Sequence, residues 1–156
     1  MCKLCWGSVM VLVLVLLGGA YKVLVQGSTT PTTDGRKALL LEPSERDLVL
    51  AEMRAFLTSI QRVSQGLSEK DMKIVAEAAK QAGNAAANEV PASLMAKLPL
   101  EFKQLGFDTH SKFDQLALDA SQLGDGEHTL RQMSTLLNNC LVCHQMYRID
   151  PISTQD

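Results

Sequence analysis

The chain has 156 residues, 46% hydrophobic and only 4% aromatic, with a formal net charge of −2. That is enough for one domain and a short extra segment, and its alanine- and leucine-rich composition favours helices over a β-sandwich. The first 27 residues hold Lys3 and Lys22 and no acid, so the remainder carries −4; with no basic cluster in the body, nucleic-acid binding is not expected.

From Trp6 to Tyr21 there is no charged residue, and Val23 to Val25 prolong the apolar run past Lys22. A spanning helix takes about 20 residues. Trp6 to Val25 reaches that length if Lys22 snorkels to the interface, and Trp6 and Tyr21 bracket the run as interfacial aromatics do. Residues 1–27 therefore read as an export signal retained as a membrane anchor. Cleavage at Gly18-Gly19-Ala20 or Val25-Gln26-Gly27, both imperfect sites, is the alternative and would leave a soluble periplasmic protein. No cysteine follows the run, which argues against a lipid-anchored lipoprotein. With Lys3 inside, the body faces the periplasmic side of a bacterial inner membrane. Cys2 and Cys5 then lie at the cytoplasmic face as incidental apolar residues.

Residues 28–42, rich in Thr, Ser, Pro and Gly, read as a linker. Residues 43–150 read as a domain of four helices, and 151–156 as a tail. Ser44 is the expected N-cap of the first helix. Leu48, Met53, Phe56, Leu57, Ile60 and Val63 form its apolar stripe, and Gly66 its end. Ser68 is expected to cap the second helix, which presents Met72, Val75, Ala76, Ala79 and Ala82, fades near Asn88 and is closed by Pro91. A connection from Pro91 to Gly106 contains short helical pieces at 92–98 and after Pro99. The third helix is expected to start at Asp108 or Thr109 and to bury Phe113, Leu116, Ala117, Ala120 and Leu123. After the Gly124-Asp125-Gly126 turn, the fourth runs past His144 with Leu130, Met133, Leu137, Cys140 and His144 on one stripe. The predicted fold is all-α, an antiparallel four-helix bundle.

Within the last helix stands Cys140-Leu141-Val142-Cys143-His144. Two thiols three residues apart, followed directly by histidine, have the spacing that attaches haem covalently. A redox CxxC usually opens a helix after a strand, and a zinc site would need a second pair on the same side of the membrane. Neither context is present, so haem c is the expected cofactor. A haem would also supply bulk to a core short of aromatics.

These features resemble the class II c-type cytochromes, the group of cytochrome c′ and its low-spin relatives. The motif sits at the end of the last helix and continues as Cys143-His-Gln-Met-Tyr-Arg148, with an aromatic and a basic residue where that family carries them. Residues 98–102 through Phe113 and Ala117 are similar to its third helical region. The similarity runs from about Pro43 to Ile149.

The resemblance implies thioether bonds at Cys140 and Cys143 and His144 as proximal iron ligand. Met53, on the first-helix stripe, matches the sixth ligand of the low-spin members; Met72 and Met95 are weaker candidates. It implies that Phe56 and Leu57 keep water from the distal side and that Tyr147 packs on the haem edge. Arg148 either tunes the iron or is a last-turn cation. His110 and His128 read as surface or capping residues. The expected function is electron transfer between redox partner proteins, not enzymatic turnover. The alternatives are a five-coordinate protein that binds nitric oxide or carbon monoxide, and a haem subunit docked on a larger respiratory or photosynthetic complex. Family members often form homodimers through their first two helices.

Overall fold

A computed structural model of the chain describes residues 3–87 and 90–151, apart from the side chains of 3–5 and 151. Most of these residues are helical, and a small three-stranded sheet joins the two ends of the main domain. Cys2, Asn88 and residues 152–156 of the expected tail lie outside the described residues.

The apolar N-terminal run forms helix α1, Lys3–Tyr21, prolonged by a π-helical turn at Lys22–Gln26. From Trp6 to Gln26 the helix is exposed along its whole length, and it is long and apolar enough to cross a membrane or to act as a signal sequence. The chain then turns at buried Gly27, whose φ of +64° suits glycine. A Cβ there would lie 2.4 Å from the Lys97 carbonyl oxygen and 2.7 Å from the Pro99 nitrogen. Ser28 N–H donates to the Lys97 carbonyl (2.7 Å), seating this junction on the main domain.

Beyond it, the segment read as a linker is largely ordered strand. Strand β1, Thr29–Pro31, runs antiparallel to β2, Lys37–Leu41, with Thr29 opposite Leu39. At the turn between them the Asp34 carboxylate accepts from the Arg36 backbone N–H and guanidinium, which hold it well below the usual carboxylate range. Ala38, Leu39 and Leu41 are completely buried, and that burial draws the segment into the fold. Strand β3, Tyr147–Pro151, adds parallel to β2, with Lys37 opposite Tyr147 and Leu41 opposite Pro151.

Helix α2, Pro43–Glu69, begins two residues earlier than the expected Ser44 cap allows. Glu42 is its N-cap, Glu42 and Glu45 satisfy each other's backbone N–H, and Pro43 takes the first helical position. It also runs through Gly66, ending at left-handed Lys70. Gly66 serves a helix crossing instead: a Cβ there would come within 2.8 Å of Val75 Cγ2. Helix α3, Met72–Lys80, is capped by Asp71, not Ser68; the Asp71 carboxylate accepts from the N–H groups of Lys73 and Ile74. Short α4, Asn84–Ala87, and α5, Ala92–Lys97, follow. Helix α6, Leu100–Leu123, starts directly after Pro99 and passes Asp108 and Thr109 without a break. The Thr109 hydroxyl donates to the Leu105 carbonyl, a mid-helix bond and not a cap. Asp125 caps α7, Gly126–Met146, through the N–H groups of Glu127 and His128.

Helix α3 packs along both α2 and α6, and α6 along α7, while α7 touches α2 only sparingly. One core gathers Phe56, Val63, Val75, Phe113, Leu116 and Leu136 around small alanines of α3 and α6. A second, under the sheet, gathers Leu39, Leu41, Val49, Leu94, Leu98 and Tyr147. Met53 packs against both.

Candidate cofactor-attachment site

Helix α7 carries the CxxCH run in its last turns, and its rotation decides what each residue faces. Thr129 and Leu136 are buried, with Met133, Cys140 and Cys143 half-buried on the same side. Leu130 is 54% exposed and His144 is exposed. The inward stripe is therefore 129–136–143, one residue off the expected line through Leu130, Leu137 and His144. Polar bonds to α6 fix this rotation. Gln132 Nε2 donates to Asp119 (2.6 Å), and Asn139 Nδ2 donates to Asp108 (2.7 Å) and to Thr109 Oγ1 (3.2 Å).

Cys140 packs against the Phe56–Phe113 core and Cys143 against the core under the sheet, both as free thiols. Burial pushes both up, and Cys143, with Cys140 beside it, reaches about 11. A dithiol redox motif needs the reverse, a thiol lowered at a helix N-terminus. These stand at the C-terminal end of α7, where the helix dipole disfavours a thiolate.

The open flank between α2 and α7 gives the other half of the site. Ser64 of α2 meets Met133 of α7, Oγ to Sδ at 3.9 Å, and Leu67 lies beside Gly126. The helices run antiparallel, since α2 leaves the sheet from β2 and α7 returns to it through β3. Stepping back from Ser64 by eleven residues reaches Met53, and stepping on from Met133 by eleven reaches His144. Eleven residues are about three helical turns, so each step returns to the same face. Met53 and His144 thus both lie about three turns from the Ser64–Met133 contact, toward the sheet end of their helices. Leu57 of α2 is 66% exposed.

Other expected site residues go elsewhere. Phe56 points into the core, stacked on Phe113 (5.5 Å between centroids) and tilted against His110 (4.9 Å), so it does not line the seam between α2 and α7. Tyr147 is buried edge-on to Phe102, and its hydroxyl donates to Glu101 (3.0 Å). Burial and that carboxylate hold its phenol well above the ordinary range. Because α7 ends at Met146, Arg148 belongs to β3 and is no last-turn cation; it pairs with Asp150 (2.8 Å) and Asp34 (3.5 Å). Met72 packs at the rim of the first core and Met95 at that of the second.

His128 lies near the start of α7, half-exposed, with Nε2 3.2 Å from Asp119. His110 overturns its reading as a surface or capping residue. It is 3% exposed in the middle of α6, with Nδ1 2.8 Å from the Ala82 carbonyl and Nε2 3.1 Å from Glu52 Oε1. Burial pulls its pKa down, but the bonds to Glu52 and Ala82 outweigh it and the net shift is upward.

These residues fit a covalently held porphyrin. Two thiols sit one turn apart on the inner side of a helix, an imidazole follows on its exposed side, and a thioether lies on α2 packed against both cores. Among the described residues no three His, Cys, Asp or Glu side chains gather as a bare metal ion requires. A porphyrin brings four nitrogens of its own and asks the protein for axial ligands alone. Compared with protein-family models, curated proteins and solved structures, the chain has no match.

Proposed function

We propose that the chain is a membrane-tethered c-type cytochrome that transfers electrons on the periplasmic side of a bacterial inner membrane. In this reading α2, α3, α6 and α7 are an antiparallel four-helix bundle, and haem c is joined to Cys140 and Cys143 with His144 and Met53 as axial ligands. The observation that carries it is the CxxCH run in the last turns of α7, with both thiols turned toward the interior.

The haem supplies a one-electron iron couple. The chain's own residues set its surroundings. Cys140 and Cys143 fix the ring's position through two bonds on one helix turn. Met53, packed against both cores, is held in place before any ligand arrives, so little side-chain freedom is lost on ligation. A thioether paired with an imidazole raises the reduction potential relative to two nitrogen ligands. Leu57, exposed on α2, would offer apolar surface to the ring, and its burial there would exclude water and favour the less charged iron state. His144, exposed on α7, would hold the iron close to the protein surface, where a redox partner protein can approach.

A visible spectrum in both oxidation states tests the ligand set. Low-spin iron with the weak long-wavelength band of an iron–thioether bond is expected, and Met53→Ala should abolish that band. High-spin ferrous protein that takes up carbon monoxide at once would replace this reading with the five-coordinate gas-binding one. A Met53→Ala spectrum identical to the parent's would remove Met53 from the iron.

A further inference from the structure

On the far side of α2 from that seam lies a cavity of about 330 Å³, walled by α2, α5 and α6. Its lining is mostly apolar: Val49, Leu94, Met95, Leu98 and Phe102. Three polar side chains converge on it. His110 is buried with both ring nitrogens engaged; Glu52 gives one carboxylate oxygen to His110 and has the other to spare. Lys103 lines the same space, and its side chain makes no hydrogen bond or ion pair among the described residues. The cavity thus offers one acceptor and one donor inside an apolar shell. Small-molecule sites have this make-up, an apolar pocket of about 300–1,000 Å³ with few, convergent polar groups.

Its position narrows the ligand. The π-helical turn that ends the N-terminal span lies against α5 and α6, the helices that form two of the cavity's walls. Leu98, which lines the cavity, is backed by Gly27, whose absent Cβ leaves room for the Leu98 backbone. Ser28 N–H is bonded to Lys97, one residue earlier. Two large apolar side chains on the lining, Leu48 at 42% and Phe107 at 47%, are exposed to the outside. A molecule dissolved in the bilayer therefore meets an apolar entrance close to where the chain leaves the membrane.

We infer that this cavity binds the head of a prenylated membrane quinone or quinol. A ring oxygen of such a head accepts from Lys103, the opposite hydroxyl of the quinol form donates to Glu52, and the apolar tail extends toward the membrane along Leu48 and Phe107. A fatty acid matches less well. Its carboxylate suits Lys103 but is repelled by Glu52, and it brings no donor for that oxygen. The inference rests on α1 remaining in the chain and not on the haem.

The test uses the full chain in lipid nanodiscs and an azido-derivatised benzoquinone, with decyl-ubiquinone as competitor. Illumination should label peptides spanning Leu48–Ala55 and Leu94–His110, and the competitor should suppress the label. Ala55→Trp adds bulk to the lining at an exposed position, and Lys103→Met removes the donor. Each should weaken competition by about tenfold, the worth of one lost hydrogen bond or an equivalent steric cost. Helical circular dichroism and melting temperature establish that both variants fold; if Ala55→Trp does not, Lys103→Met decides. Label confined to α1, label the competitor does not displace, or variants that compete like the parent would overturn the inference. Oleate displacing the label as well as decyl-ubiquinone would overturn it in favour of an anionic lipid. Label is read on peptides and haem by colour, so failure of either proposal is seen separately.

Discussion

His110 sits where two acceptors converge, the Ala82 carbonyl and the Glu52 carboxylate, so only the doubly protonated ring satisfies both. Its folded pKa lies above the ordinary imidazole value of 6.5. A raised folded pKa contributes stability that is complete below the unfolded value and is lost as pH rises through the folded one. The urea midpoint should therefore fall as pH is raised from about 6 upward. In His110→Gln that part of the fall should be absent, while the pairing of His128 with Asp119 is untouched. A midpoint equally pH-dependent in parent and variant would place the proton elsewhere. At this scale the CxxCH run was legible as a motif, because spacing along one helix is a local signal, whereas Met53 was marked only by the family resemblance. His110 was not, because α6 was expected to start at Asp108, which turned a mid-helix residue on the Phe113 stripe into a cap. The Glu52–His110 contact joins two helices distant in sequence and leaves no local trace.

Helix starts show the same division. Asp125, expected only as part of a Gly-Asp-Gly turn, caps α7 through two N–H bonds, and Asp125→Ala should cost about 1 kcal/mol in chemical denaturation. Ser44 and Ser68 lost their expected roles to Glu42 with Pro43 and to Asp71, because several capping residues stood within a few positions and only tertiary packing chose among them. Strand β2 was hidden more completely. Its five residues lie in a stretch whose Thr, Ser and Gly content signals a linker, and its parallel partner β3 is at the other end of the domain. Yet Leu39 is completely buried there, and Leu39→Ala should cost about 2–5 kcal/mol, read from the same denaturation curves. A loss below about 1 kcal/mol would mean that the sheet contributes little to the fold. The one-residue rotation of α7 had a similar cause. Alternation of apolar residues set the period of its stripe, but Gln132 and Asn139, bonding to α6, set its phase.

At the scale of the whole molecule, two cores meet at Met53, and α2 and α7 are thinly packed against each other. Cys140 and Cys143 lie at that boundary with one thiol toward each core. The junction at Gly27 binds the domain closely to the end of the apolar helix, so a retained anchor would hold the site near the bilayer surface, not on a long tether. Gly27→Val, a branched side chain on a left-handed backbone facing the Lys97 carbonyl, should loosen that seat and expose the junction to limited proteolysis. Unchanged cleavage kinetics would show that the seat is not rigid. The most direct measurement is on the full chain matured in a host competent for cytochrome assembly. After extraction in acidic acetone the polypeptide should keep its colour, and its intact mass should exceed that of the bare chain by one haem. A colourless polypeptide of unmodified mass would contradict covalent attachment at Cys140 and Cys143.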